Sequence, residues 1–190
     1  MIKTYTMVLY DNRNYKSPKD KVKRLLADRK LIKLTKGLYE TDQSISGYLV
    51  ANAIYSPSYL SFEFALSYHG LIPEAVYTYT SATFKKKKEK KYTNYFGTFT
   101  YRDVPAKAFP FEILIIKEET YSYKIASAEK ALCDKLYTMH PVKNKKEMMY
   151  LLFHELRIDE IKFQQLKKEV LFELCDMYPS TNLKILKKVM

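Results

Sequence analysis

The chain has 190 residues, of which 47% are apolar and 28% are charged, with only 4 glycines and 7 prolines. This composition is typical of a globular protein with its own core, and it excludes a fibrous or intrinsically disordered chain. The formal net charge of +12 indicates a polyanionic partner, because a positive field attracts phosphates. Half of that excess lies in residues 1–45, which carry 11 basic and 5 acidic side chains.

A basic amphipathic helix is predicted over residues 18–29. Ser17 and Pro18 form a typical helix start, with a hydroxyl at the N-cap and a proline at the first helical position. Three aliphatic residues then recur at the spacing i, i+3, i+4, so one face is apolar and the charged residues point away from the core. These aliphatic residues are Val22, Leu25 and Leu26.

A short β-hairpin is predicted directly after this helix, in the sequence LIKLTKGLYE. Apolar and polar residues alternate on both sides of Thr35-Lys36-Gly37, and Gly37 supplies the positive φ that a tight hairpin needs. A helix followed by a basic-tipped hairpin is the order of elements in a winged helix. The segment before Ser17 is short, so the helix-turn-helix is expected to be abbreviated.

The predicted fold class is α+β, with an N-terminal winged helix-turn-helix in residues 1–45 and a mixed α/β domain with a helical tail in residues 46–190. The boundary is placed where polarity rises, at residues 41–46. Two short helices are predicted beyond it, and Ser127 is predicted to cap a later one. Strands are predicted in AVYTYTSATF, YFGTFTYRDV, FEILIIKEE and TYSYKIA, which are rich in β-branched and aromatic residues.

No catalytic or metal-binding motif is present in the sequence. There is no glycine-rich phosphate loop, no H-E-x-x-H and no G-x-S-x-G, and the three histidines lie far apart. Cys133 and Cys175 lack the spacing of zinc ligands and are predicted to be buried free thiols. We therefore expect neither an enzyme nor a bound cofactor or metal ion.

Three other patterns have a plain structural interpretation. Glu112 and Lys117 resemble the acid and lysine of a nuclease strand, but a separation of five residues puts them on opposite faces. Asp134 follows Lys130 by four residues, which predicts an exposed ion pair on a helix. The lysine run Lys85–Lys91 is predicted to be a solvated loop between two strands, with a second phosphate-contacting patch as the alternative.

Residues 48–74, YLVANAIYSPSYLSFEFALSYHGLIPE, are followed by YTYTSAT and later by IASAEKALCDKLY. Together with DKVKRLLADRKLIKLTKGLYE upstream, these segments resemble the AbiEi family of antitoxins from bacterial type IV toxin–antitoxin systems, which act in abortive infection, a form of phage defence. The resemblance spans roughly residues 15–138. It implies a winged-helix DNA-binding domain, a C-terminal domain that carries antitoxicity, and a nucleotidyltransferase-like toxin that is counteracted without a stable complex.

The leading hypothesis is an antitoxin that also represses its own operon by binding double-stranded DNA at its promoter. The alternative is a protein–protein interaction module whose winged helix does not bind DNA. No apolar run approaches 18 residues and no signal peptide is recognised, so a cytoplasmic protein without a membrane partner is expected.

The residues expected nearest the base edges are Ser17, Asp20, Lys21 and Arg24. Those expected to hold phosphates are Lys16, Lys19 and Lys23, with Lys33 and Lys36 on the wing.

Overall fold

The computed structural model of the protein describes all 190 residues, which form an α+β fold with two sheets and nine α-helices. The α+β class predicted from the sequence is therefore confirmed. No helix combines the length and the apolar character needed to cross a bilayer. The helices and strands fall into three groups along the chain.

The first group is a small antiparallel sheet with two helices. Its elements are β1 (Ile2–Thr4), α1 (Tyr5–Asp11), α2 (Pro18–Ala27), β2 (Ile32–Thr35) and β3 (Leu38–Glu40). The three strands lie in the order β1-β3-β2. The predicted helix and hairpin are confirmed here, although the helix ends at Ala27 and not at residue 29. The elements β1 and α1 were not predicted.

Ser17 occupies the N-cap position of α2, but its hydroxyl does not cap the backbone. Its Oγ instead donates a hydrogen bond to Asp20 Oδ2 at 2.7 Å. Pro18 is the first helical residue, as predicted. The serine therefore orients the Asp20 carboxylate, and its predicted role as a side-chain cap is wrong.

The second group is a six-stranded mixed sheet with three helices. Its elements are α3 (Tyr48–Ile54), β4 (Tyr59–Leu60), α4 (Phe62–Tyr68), β5 (Thr78–Thr83), β6 (Lys90–Asn94), β7 (Gly97–Asp103), β8 (Ile113–Glu118), β9 (Tyr121–Ala126) and α5 (Ala128–Tyr137). The strand order is β6-β7-β5-β4-β9-β8. The pairs β5–β7 and β4–β9 are parallel and the other pairs are antiparallel.

The four strands predicted from composition correspond to β5, β7, β8 and β9, and the two predicted helices correspond to α3 and α4. Ser127 caps α5 as predicted, because its side chain accepts a hydrogen bond from the backbone N–H of Lys130. The strands β4 and β6 were not predicted. β4 has only two residues, yet it joins the two halves of the sheet by pairing with β5 and β9.

The third group is the helical tail. Its elements are α6 (Lys145–Tyr150), a π-helical turn (Leu151–Glu155), α7 (Glu160–Gln164), α8 (Lys168–Cys175) and α9 (Thr181–Val189). The predicted helical character of the tail is confirmed. Four apolar residues of the tail are spaced three or four positions apart, but they do not share one helix, because the chain turns between α7 and α8. These residues are Phe163, Leu166, Val170 and Leu174.

The main core contains 35 buried residues, and it reaches into the first group through Leu34 on β2. The Asn94 side-chain amide also donates a hydrogen bond to the Leu34 carbonyl oxygen at 3.1 Å. A smaller apolar cluster packs α1 and α2 onto the first sheet and consists of Val8, Val22, Leu31 and Tyr39. Residues 41–46 form no helix or strand. The domain boundary proposed there remains a prediction, and the hairpin packs across it.

The predicted exposed ion pair of Lys130 and Asp134 is wrong, because both side chains are fully buried at 0% exposure. Lys130 Nζ lies 3.4 Å from Asp134 Oδ1 and donates hydrogen bonds to the Ala108 carbonyl and the Tyr178 hydroxyl, each at 2.6 Å. The Asp134 carboxylate accepts hydrogen bonds from the hydroxyls of Tyr59, Ser61 and Tyr178. The sheet, α8 and α9 pack around α5, so this pair has no solvent on any side.

Glu63, an acid within the aromatic segment of α4, is paired with Lys135 on α5 at 2.5 Å. Burial favours the neutral carboxyl, but the hydrogen bond and the charge of Lys135 outweigh it and lower the pKa of Glu63. The ion pair thus ties α4 to α5 at the edge of the core.

Both cysteines are buried free thiols, as predicted. Cys133 lies on α5 and Cys175 on the adjoining α8. Burial raises the pKa of the Cys133 thiol well above its ordinary value, because the thiolate would have no water to solvate it. This thiol is therefore kept in its unreactive neutral form.

Candidate nucleic-acid interface

The predicted base-reading residues lie together on the solvent face of α2. Residues 17, 20, 21 and 24 are three or four positions apart, so a helix with 3.6 residues per turn aligns them on one side. Val22 is buried on the opposite side, and this fixes the rotation of the helix. One open depression is lined by Tyr15, Lys16, Ser17, Asp20, Lys21 and Arg24.

The side chains in this depression form a mixed-charge surface. Asp20 accepts the Ser17 hydroxyl and lies 3.5 Å from Lys23 Nζ. The Ser17 hydrogen bond and, next, the positive charge of Lys23 lower the pKa of Asp20, so its carboxylate is ionised at neutral pH. The Lys21 ammonium stands 4.5 Å from the centre of the Tyr15 ring, which restricts its position without neutralising it.

Two further predicted residues lie beside the depression. Lys19 and Lys23 are one helical turn apart and both are exposed. Neither lines the depression that holds Lys21 and Arg24. Lys16, which was predicted with them to hold phosphates, lies inside the depression instead.

The two predicted wing residues are on the β2–β3 hairpin, which is a separate element from α2. Lys33 projects from β2 opposite Tyr39 and is exposed. Lys36 occupies the turn, where Gly37 adopts φ +78° as predicted. The hairpin thus presents two cations, and the structure does not bring them into the α2 depression.

Two neighbouring residues were missed by the sequence argument. Tyr15 lines the depression and positions Lys21. Arg13, in the turn between α1 and α2, packs its guanidinium 4.1 Å from the centre of the Tyr10 ring. Both belong to the segment DNRNYKS, in which basic, amide and aromatic residues occur together.

Other side-chain groups do not form a comparable site. No group of three or more His, Cys, Asp or Glu side chains is arranged to hold a metal ion. His69 follows α4 and its Nε2 lies 2.8 Å from the Ala126 carbonyl oxygen, which gives it a structural role. Lys117 lies within β8, and Glu112 precedes that strand with φ +54°.

Comparison with known proteins gives no assignment for this chain. No protein-family model matches it, and no curated protein matches it. The function of this chain is therefore inferred from the geometry of α2 and the hairpin and from the sequence resemblance described above.

Proposed function

We propose that this protein binds double-stranded DNA sequence-specifically through α2. The observation that carries this proposal is the shared depression on α2, in which five of the nine predicted contact residues lie together. Arg24 is exposed and Lys21 is half-buried, and neither forms an ion pair within 4.0 Å. Their charges are therefore available to an external anion or to base edges.

The first group of elements would act as an abbreviated winged helix. α1, the turn at residues 12–17 and α2 form the helix-turn-helix, and the β2–β3 hairpin forms the wing. In this arrangement α2 enters the major groove and the wing rests on the adjacent backbone.

Each residue of the interface then has a chemical role. Arg24 and Lys21 can donate hydrogen bonds to guanine O6 and N7, and Asp20 can accept one from a cytosine amino group. Ser17 holds Asp20 in place through the 2.7 Å hydrogen bond. The phosphate contacts come from Lys16, Lys19, Lys23, Lys33 and Lys36.

Single alanine substitutions should separate base reading from phosphate binding. Lys21→Ala and Arg24→Ala are each expected to reduce discrimination between operator and random DNA by about 1–3 kcal/mol, because a lost base contact affects only the matching sequence. Lys36→Ala should weaken binding to both DNAs about equally. Fluorescence anisotropy with both duplexes measures the two affinities for each variant.

The matched control is Lys184→Ala, which removes an exposed lysine from the distant helix α9. Its affinities for both duplexes should stay close to those of the wild type. If Lys21→Ala and Arg24→Ala reduce both affinities by the same factor as Lys36→Ala, the base-reading face has been placed on the wrong residues.

The resemblance to AbiEi antitoxins supports a more specific role. In this role the protein is a cytoplasmic antitoxin that represses its own toxin–antitoxin operon and neutralises a nucleotidyltransferase-like toxin without forming a stable complex with it. The neutralising surface would lie in residues 46–190, away from the α2 depression. A nucleotidyltransferase gene beside the gene for this chain would support this role directly.

Repression and neutralisation should then be separable in the full-length chain. The double variant Lys21→Ala/Arg24→Ala is expected to lose operator binding and still protect cells that express the toxin. Neither side chain belongs to the buried core, so the fold should be retained. A plasmid reporter measures repression, and colony survival measures protection. Loss of protection in a variant with unchanged thermal stability would contradict the division of roles.

The alternative function, a protein–protein interaction module, is favoured by one observation. β8 is an edge strand of the six-stranded sheet, and it exposes Leu114 by 40% and Ile115 by 64%. An exposed apolar edge is a template for strand addition by another chain. Salt-dependent binding to operator DNA distinguishes the two functions, because an interaction module of this kind would show none.

A further inference from the structure

The lysine-rich segment Lys85–Lys91 is more ordered than the solvated loop predicted for it. Its last two residues, Lys90 and Lys91, already belong to strand β6, which pairs with β7. Of this run, only residues 85–89 therefore belong to the connection between β5 and β6. These residues form a short surface loop next to the end of β7, where Asp103 lies.

Asp103 fixes the backbone of this loop. Its Oδ2 accepts hydrogen bonds from the backbone N–H groups of both Lys86 and Lys87, each at 2.8 Å. The Lys86 ammonium donates to the Ser56 carbonyl oxygen at 3.2 Å and stands 5.0 Å from the centre of the Tyr55 ring. One lysine of the run is therefore used to anchor the loop to the protein.

The anchored loop has an unfavourable backbone conformation. Lys85 has φ +55° and Lys87 has φ +64°, and both values lie in the left-handed region that disfavours residues with a Cβ atom. Such conformations persist where surrounding contacts impose them, and they concentrate at functional sites. These contacts thus fix the loop in a conformation that exposes its lysine side chains. In an unconstrained chain, repulsion between the ammonium groups would move these side chains apart.

The displayed ammonium groups have no anionic partner in the protein. Lys85, Lys87 and Lys88 are exposed, and none of them forms an ion pair within 4.0 Å. The one acidic residue of the run, Glu89, is instead paired with Arg102 on β7 at 3.0 Å. Three positively charged side chains therefore extend into solvent from a loop whose backbone is held in place by Asp103.

The chemistry of the loop favours nucleic-acid phosphates as its ligand. A membrane-binding loop combines cations with apolar side chains that insert between lipids. The only apolar side chain at this loop is Phe84, which is half-buried and packs on Phe109 with ring centres 4.4 Å apart. Exposed cations without inserting apolar groups suit nucleic-acid phosphates, which are bound through charge.

Strand β6 connects the lysine loop to the wing. β6 runs from Lys90 to Asn94, and Asn94 is hydrogen-bonded to Leu34 on the wing strand β2. The four residue steps from Lys90 to Asn94 span about 13 Å along the strand. This distance between the loop and the wing equals the length of about four base pairs of DNA. We propose that the loop of Lys85, Lys87 and Lys88 is a second phosphate-binding surface, which holds the DNA backbone beyond the wing. This inference rests on the DNA binding proposed above.

The test compares a short and a long duplex. The short duplex is the shortest one that retains full sequence discrimination, and the long one carries an extra helical turn at each end. Wild-type protein should show a steeper salt dependence on the long duplex, with a log–log slope more negative by about 2 to 3, because three further phosphates are neutralised. The triple variant Lys85→Gln/Lys87→Gln/Lys88→Gln should lose this increment and keep wild-type affinity and discrimination on the short duplex.

The matched control is Lys143→Gln/Lys145→Gln/Lys146→Gln, which removes the same charge from three exposed lysines at the start of α6. It should keep the increment on the long duplex. Equal losses in both triple variants, or an unchanged increment in the loop variant, would overturn the second surface and leave the α2 site intact. If the wild type binds neither duplex, both the second surface and the proposed function are wrong.

Discussion

Replacing Asp134 with alanine is expected to lower the free energy of unfolding by about 3–5 kcal/mol, the usual cost of removing one partner from a buried ion pair. The substitution leaves the Lys130 ammonium buried without an anion and removes the acceptor of three hydroxyl groups. Burial lowers the pKa of Lys130, although Asp134 acts to raise it. Urea unfolding followed by circular dichroism measures the change.

The matched control is Asp176→Ala. Asp176 also pairs with a lysine, Lys187, at 2.7 Å, but its side chain is 69% exposed. Because solvent screens such a pair, its loss should change the stability by at most about 1 kcal/mol. Equal losses in the two variants would contradict the importance of the buried pair. Adding Lys130→Met to Asp134→Ala should recover part of the stability, because it removes the isolated buried charge.

Affinity for the short operator duplex is expected to fall on the order of 500-fold between 50 mM and 200 mM salt. Five lysines are assigned to phosphates, and the release of their counterions gives a log–log slope of about −4 to −5. These residues are Lys16, Lys19, Lys23, Lys33 and Lys36, and all five are exposed. An anisotropy titration at four or five salt concentrations measures the slope.

The single variant Lys36→Ala should make this slope less steep by about 0.9, because one phosphate contact is lost. The same substitution at Lys184 should leave the slope unchanged. A flat salt response of the wild-type protein would rule out a phosphate-dominated interface, and the interaction-module alternative would then be the better account of this chain.

Much of the candidate interface could be predicted from local sequence signals. The Ser17-Pro18 start and the aliphatic spacing of α2 fix the beginning and the rotation of that helix, and Gly37 marks the hairpin turn. These signals act between residues close in the chain, so no knowledge of the fold is needed to interpret them. Tyr15 was missed because a lone aromatic residue in a turn has no periodic pattern around it.

The central sheet could be predicted only in part. β5, β7, β8 and β9 are long enough for β-branched and aromatic residues to stand out. β4 has two residues, and it is a strand only because β5 and β9 lie on either side of it. Likewise, Lys90 and Lys91 are part of a strand because β7 pairs with them, although their composition is typical of a loop.

The sequence alone determined the α+β class, the basic face of α2, its hairpin and the helical character of the tail, because each follows from the periodicity of neighbouring residues. The tertiary structure alone decided that Lys130 and Asp134 are buried and that the lysine loop is fixed by Asp103. A spacing of four residues places two charges on the same helix face, whether that face meets solvent or protein. Burial is decided by the elements that pack against that face, and these come from distant parts of the chain.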